Sequence, residues 1–414
     1  MAEKVLARAS ERDRVDPGDV VVAKVDVAMS HDNAALIANT FRKIPVRTLW
    51  DASRVVQVLD HRSPAPDVDT ASKHKAVREF VKEHSIRNFY DVGEGICHQV
   101  LVENAHVKPG DHVVGTDSHT CTYGAIGAYA YGVGATEMAA VWASGELWLR
   151  VPGTLRVEVR GRLAPGVFAK DAALRLVGDV KADGAAGLCV EYAGAAVEAM
   201  SVSERMTLCN LGVEMDADAA MVPTDATTTA YLAGRGLPDA PSLRPDPGAR
   251  VEREVIVDLD RLEPQVACPH RVDNVKPVGD VVGTPVHQAF LGSCVNGRLD
   301  DLQEAARVLR GRKVHPDCRL IVTPASREVL LGAMRDRTME TLVEAGAVVG
   351  TPGCGPCMGA AGGLLGPGET CIASSNRNFK GRMGSPESFV YLGSPATVAA
   401  SAVEGRIADP RTYL

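Results

Sequence analysis

Gly353-Cys354-Gly355-Pro356-Cys357-Met358-Gly359 is the stretch on which the reading of this chain turns. A third cysteine, Cys294, lies in Phe290-Leu291-Gly292-Ser293-Cys294-Val295-Asn296-Gly297-Arg298. Three thiolates are one short of a closed four-cysteine metal site. An odd count suits a cubane iron–sulfur cluster held at three corners, with one iron left for substrate. Such a cluster works as a Lewis acid rather than an electron carrier. The small residues around each cysteine let backbone amides approach a bulky inorganic group and stabilise its negative charge.

Two other readings compete. Cys-Gly-Pro-Cys alone also matches a thioredoxin-type redox motif. That reading needs one cysteine at a helix N-terminus in a small domain, and it leaves Cys294 without a purpose. A structural zinc site needs a fourth protein ligand. Cys268-Pro269-His270 offers one, but nothing in its spacing marks it as a partner. The remaining cysteines, Cys97, Cys121, Cys189, Cys209, Cys318 and Cys371, show no pairing pattern and read as small buried residues. Ten cysteines in 414 residues without an apolar leader read as cytoplasmic thiols, not a disulfide framework.

Outward from the cysteines, the chain is too long for one ordinary domain. Aromatic content is 4% against 40 glycines, which favours Gly-turned α/β layers over an aromatic-rich sandwich. β-rich runs recur at Val20–Val25, His112–Val114, Leu155–Val159, Glu254–Leu259, Arg319–Val322, Ala347–Val349 and Thr370–Ala373. Several lead through small or polar residues into a helix-like segment, the grammar of a parallel sheet with covering helices. Ligands of such sheets sit beyond the carboxyl ends of the strands. The segment 234–248, rich in Pro, Gly, Asp and Arg, reads as an exposed loop. Residues 125–149 look apolar, but Glu137, Glu146 and several glycines interrupt them, so they read as buried loop and helix, not a membrane span. The net charge of −7 and the lack of a basic run give nucleic acid or an anionic membrane no electrostatic hold.

Histidines stand beside carboxylates in three places: Asp26 with His31-Asp32, Asp60-His61, and Asp117-Ser118-His119. A neighbouring carboxylate fixes the tautomer of a histidine and raises its pKa, which suits a general acid. In Ser374-Ser375-Asn376-Arg377-Asn378-Phe379-Lys380-Gly381-Arg382, the two arginines suit a fork onto substrate carboxylates.

Taken together, Gly115–Thr120, Gly292–Arg298, Gly353–Gly359 and Ser375–Arg382 resemble the aconitase superfamily, and they occur in its order. Gly95–Gln99, Val190–Tyr192 and Leu208–Glu214 also fit. The resemblance covers nearly the whole chain from Val20. It implies an aconitase-like α/β fold, with three α/β/α lobes of mainly parallel sheets around a central 4Fe–4S cluster. The lobes are expected at 1–153 with the His/Asp motifs, 154–250 with Glu191, and 251–414 with the cluster cysteines and arginine loop.

The resemblance further implies Cys294, Cys354 and Cys357 as cluster ligands. It implies three His–carboxylate pairs: Asp60 with His61, Asp117 with His98, and Glu191 with His119. His61 would be the general acid at the leaving hydroxyl. His31 and Asp32 stand where the family places a substrate-contacting pair. Ser118, Asn296, Asn376, Arg377 and Arg382 would line the cluster or bind carboxylate.

Full aconitases carry a further swivelling domain, whereas this sequence stops at Leu414, shortly after the arginine loop. The resemblance is therefore to the large subunit of a two-subunit isomerase, a 3-isopropylmalate dehydratase or a homoaconitase. In the family the proton-removing serine lies on the swivelling domain. Its absence here implies a separate small subunit, giving a heterodimer or heterotetramer. Two readings remain beside this hydro-lyase: a thiol–disulfide oxidoreductase using Cys354 and Cys357, and an RNA-binding regulator. The acidic charge balance opposes the second.

Overall fold

The computed structural model describes residues Met1–Leu414. Its first sheet has five parallel strands in the spatial order Asn88–Tyr90, Val55–Val58, Val27–Ser30, His112–Gly115 and Tyr129–Gly132. The second has four, Ala219–Met221, Leu188–Ala193, Gly153–Arg160 and Arg253–Asp258, also parallel. The third has seven. Phe389–Leu392, Thr370–Ala373, Gln288–Leu291, Arg319–Val322 and Val348–Val349 run parallel, and Val275–Pro277 and Gln265–Ala267 close one edge antiparallel.

The central strands Val27–Ser30, Val55–Val58 and Gln288–Leu291 are buried along their whole length. Covering helices on both faces of a parallel sheet demand this. One continuous core of 84 buried residues includes Met29 of the first sheet, Leu155 of the second and Leu291 of the third. The lobes share that apolar interior, so a site between them rests on one packed body and not on a hinge.

Two expectations change here. The run at Val20–Val25 does not join a parallel sheet. It forms Val20–Lys24, antiparallel to Glu146–Arg150 in a two-stranded ribbon. Its burial alternates, with Val21 and Ala23 inside and Val20 and Val22 exposed, the pattern of a strand with one wet face. The boundary expected at residue 250 also falls too early. Arg253–Asp258 pairs in register with Leu155–Arg160, so its backbone groups are satisfied in the second sheet and not the third. The apolar segment 125–149 contains the strand Tyr129–Gly132 and the helix Ala135–Ser144. No helix is long and apolar enough to cross a membrane.

The helix Val68–Glu83 shows how local sequence builds a wall of the site. Asp67 caps it by accepting from Thr70 N at 2.7 Å, and Thr70, His74, Val77, Phe80 and Val81 give it one buried face. Phe80 stacks on Trp142 with ring centroids 5.0 Å apart. That packing sets His74 against the loop that leaves Val27–Ser30.

Candidate active site

Six loops converge from the carboxyl ends of strands. His31-Asp32 follows Val27–Ser30, Asp60-His61 follows Val55–Val58, and Asp117–His119 follows His112–Gly115. Cys294, the Cys354–Cys357 turn and Ser374–Arg382 follow Gln288–Leu291, Val348–Val349 and Thr370–Ala373. This is the ligand-binding edge of a parallel sheet, drawn here from two of the three lobes.

His61 lies between two carboxylates. Its Nδ1 is 2.7 Å from Asp60 Oδ1 and its Nε2 3.3 Å from Asp117 Oδ2. Burial alone would lower its pKa, but Asp60 and Asp117 overturn this and hold it well above the ordinary value. The raised pKa favours the protonated ring, which suits a proton donor. Asp117 also receives His98 Nε2 at 2.7 Å and the His119 amide at 2.8 Å. Burial would raise its pKa; the bonds from His119, His61 and His98 hold it well below the carboxylate range.

The third pair differs from expectation. His119 Nε2 meets Glu214 Oε1 at 2.8 Å, not Glu191. Glu191 sits mid-strand, in register with Met221 and Arg156, and its carboxylate takes the Met1 amine. Side chains in a strand stand roughly perpendicular to the sheet, and the Glu191 carboxylate is committed to that amine and not to His119. Glu214 lies on the turn Leu211–Met215 after the helix Val202–Asn210, and that turn is packed against Ser118–Ile126. The same Glu214 oxygen also accepts from Arg377 Nε at 2.7 Å.

Asp26 takes no part in the site. It stands at the opposite end of Val27–Ser30, where Arg8, Arg54 and the His112 amide bind it. Asp32 does lie in the site, but its oxygens are filled. They accept from the amides of Asp60, His61 and Arg62 at 3.0, 2.8 and 3.1 Å and from His74 Nε2 at 2.7 Å. Asp32 therefore holds the Asp60–Arg62 loop rather than facing a substrate. His31 turns Nε2 to the Thr116 carbonyl at 3.1 Å, lies tilted against His61 with ring centroids 4.3 Å apart and keeps a buried Nδ1 without a partner. His31, Asp32, Asp60 and His61 are close enough to surround a cation. The Asp32 oxygens and the Asp60–His61 bond are already committed, and Asp60 Oδ2 accepts from Cys97 N at 2.7 Å, so a lone metal ion would have to break them.

Cys294, Cys354 and Cys357 are buried and free of disulfides. Asn210 and Asn376 donate to Cys294 Sγ at 3.1 and 3.2 Å, and Ser293 Oγ lies 3.5 Å from Cys357 Sγ. Ser293 itself is held at φ 78°, a strained left-handed conformation for a residue with a side chain. Burial pushes the Cys294 thiol up to about 12, so placing a metal cluster there expels a proton. Cys357, accepting from Cys354, is held well below the usual thiol range. Arg382 stands beside Cys354 and Cys357 with a buried Nε that lacks a partner, as does Asn296 Oδ1. Sulfurs ringed by N–H donors and a guanidinium suit an anionic iron–sulfur group.

The cysteine turn is tied to the loop that bears Asp60 and His61. Cys354 N donates to the Asp60 carbonyl at 3.0 Å, and a Cβ on Gly353 would stand 2.7 Å from that oxygen. Gly353 also has φ +153°, so glycine alone fits. Asn296 spends its Nδ2 on Asp301 at 2.8 Å, while Asn376 serves the sulfurs. Ser118 opens the turn Ser118–Ile126, half-buried on the wall of a cavity of about 490 Å³ shared with Tyr131 and Val213. Sequence reasoning missed Glu214, Asn210, His74 and Ser293 as site residues. Asn210 and Glu214 were within the quoted motif; their four-residue spacing, from the last residue of a helix into the turn that follows, was the available signal.

A model of the aconitase family (aconitate hydratase) matches residues 3–284 and 277–405. The 3-isopropylmalate dehydratase large subunit 1 of Methanopyrus kandleri is 54% identical over 415 residues, covering 100% of this chain and 99% of that protein. A probable methanogen homoaconitase large subunit of Methanosarcina mazei is 51% identical, over 94% of this chain and 100% of its own. The crystal structure of Thermococcus kodakaraensis aconitase X in its holo form shares the fold, with TM-score 0.51, 14% identity and 88% and 89% coverage. Fold and matches define the class as a hydro-lyase. The chain belongs to the aconitase family. That membership implies an iron–sulfur cluster, and the three buried cysteines fit one.

Proposed function

We propose that this chain is the large subunit of a 3-isopropylmalate dehydratase, acting in the cytoplasm in leucine biosynthesis. One 4Fe–4S cluster per subunit would be held by Cys294, Cys354 and Cys357. When bound, it supplies a Lewis-acidic iron for the substrate's hydroxyl and carboxylate. His61 protonates the departing hydroxyl, and Asp60 and Asp117 hold the resulting imidazole in place. Arg377 and Arg382 bind carboxylate. The base that takes the neighbouring proton is a serine on the swivelling domain of a small partner subunit. Loss of hydroxyl and proton as water leaves an unsaturated diacid, and water re-adds with the hydroxyl on the adjacent carbon.

The observation that carries this reading is the short link from Cys354 N to the Asp60 carbonyl, which joins the cysteine site to the general acid. Relatives named homoaconitase at 51% and 48% identity support homocitrate as the second candidate. Thiol–disulfide exchange is disfavoured, because Cys354 and Cys357 are 3% and 2% exposed and an external disulfide cannot reach them. The test is anaerobic reconstitution of the chain with its small subunit, followed by ultraviolet assay for an unsaturated diacid. Formation from 3-isopropylmalate and not homocitrate supports the reading; formation from homocitrate alone moves it to the second candidate.

A further inference from the structure

Lys170 lies in the first turn of the helix Ala169–Val180 in the second lobe and is fully buried. Its ammonium reaches across to the third lobe and donates to two consecutive carbonyls, Ser374 O at 3.0 Å and Ser375 O at 2.7 Å. These carbonyls end the strand Thr370–Ala373 and open the loop that bears Asn376 and Arg377. Asn378, at the far side of that loop, donates to Cys268 O at 2.8 Å. The two anchors bracket the residues that touch Cys294, Cys357 and Glu214.

The chemistry of Lys170 is otherwise unexplained. It forms two bonds to neutral acceptors and no ion pair, although a buried charge is costly unless something anionic offsets it. Its next residue, Asp171, is turned elsewhere and accepts from the Gln265 and Phe168 amides at 2.8 Å each. Burial brings the Lys170 ammonium down to about 7, while Asp301, Cys294 and Cys357 pull it back up. An anionic group among the cysteines, or a dianionic substrate, would strengthen that pull.

We propose that Lys170 is a positioning residue for the reaction, clamping the Ser374–Ser375 turn and placing a buried positive charge behind the cysteine site. This rests on the hydro-lyase reading above, since the charge is balanced by the cluster and by the substrate carboxylates. Clamp and charge are separable. Lys170→Gln keeps an N–H donor and removes the charge, Lys170→Met removes both, and Lys170→Arg keeps both.

The experiment uses the complex with its small subunit, reconstituted anaerobically. Iron and sulfide per chain, the cluster's reduction midpoint followed by electron paramagnetic resonance, KM and kcat are measured for the wild type and each variant. Lys170→Gln is expected to load fully, to shift the midpoint to more negative potential, and to raise KM for the hydroxy-diacid about tenfold. Its kcat stays within about threefold. Lys170→Met adds a loss of kcat of about tenfold as Asn376 and Arg377 drift. Lys170→Arg restores the midpoint. A Lys170→Gln protein with wild-type midpoint and KM overturns the proposal, as does one that folds yet takes up no iron. A wild-type complex that binds neither iron nor sulfide overturns the hydro-lyase reading itself, and this inference with it.

Discussion

His119 Nε2 and Glu214 Oε1 lie 2.8 Å apart although 95 residues separate them in the chain. The same carboxylate oxygen holds Arg377 Nε at 2.7 Å. Burial would raise the Glu214 pKa, but His119 and Arg377 hold it below the usual value, so it stays ionised between them. One buried carboxylate thus fixes a histidine of the first lobe and an arginine of the third.

Glu214→Gln is therefore expected to cost about 100-fold in turnover, since it loosens both partners at once. Iron content should remain near the wild-type value. Glu191→Gln, whose carboxylate is committed to the Met1 amine and not to His119, should keep turnover within about threefold. Steady-state assay of both variants in the reconstituted complex checks this; a larger loss in Glu191→Gln would restore the original pairing.

Removing one of the proposed cysteine ligands tests the cluster directly. Wild-type chain reconstituted without oxygen should hold about four iron and four sulfide. Cys294→Ala should lose most of both, because Asn210 and Asn376 would then point at a methyl group. Colorimetric iron and sulfide counts decide the matter, and full retention in Cys294→Ala would remove Cys294 from the ligand set.

Gly353→Ala brings a Cβ to 2.7 Å from the Asp60 carbonyl at φ +153°. The loop must shift, and stability should fall by about 1–3 kcal/mol with loss of the Cys354–Asp60 link. Gly362→Ala, which meets nothing within 4 Å, should change stability by about 0.5 kcal/mol or less. Thermal melts of the two proteins side by side provide the comparison. Equal melting temperatures for Gly353→Ala and wild type would show that the contact is slack.

His112 predicts an acid weakness away from the site. Its Nδ1 donates to the Lys24 carbonyl at 2.8 Å and its Nε2 lies 3.1 Å from the Tyr131 hydroxyl, so a neutral ring is satisfied at both nitrogens. Burial lowers its pKa to about 4, against an unfolded value near 6.5. The unfolded chain gains the proton first as pH falls through about 6.5, and the folded state loses stability until about pH 4. From pH 7 to pH 5 this residue should cost about 2 kcal/mol. His112→Gln should melt with a smaller drop between those pH values than wild type; an identical drop would clear His112.

Much of the chain could be read in advance. The strands at His112–Gly115, Arg319–Val322 and Thr370–Ala373 were visible as β-rich runs followed by small-residue loops. Val27–Ser30, Val55–Val58 and Gln288–Leu291 were not, because a strand buried on both faces shows no alternation and is too short to stand out. The ribbon of Val20–Lys24 had the alternation but not the direction, since pairing partners lie far along the chain.

The residue types and spacing at the cysteines, the Asp60-His61 pair and the arginine loop are legible along the chain, because those side chains are carried on single short turns. The choice of Glu214 over Glu191, the removal of Asp26 from the site and the placing of Lys170 behind Ser374 come from packing between lobes. Each of these depends on which lobe packs against which, and that is set by the whole apolar core at once and by no local run of residues.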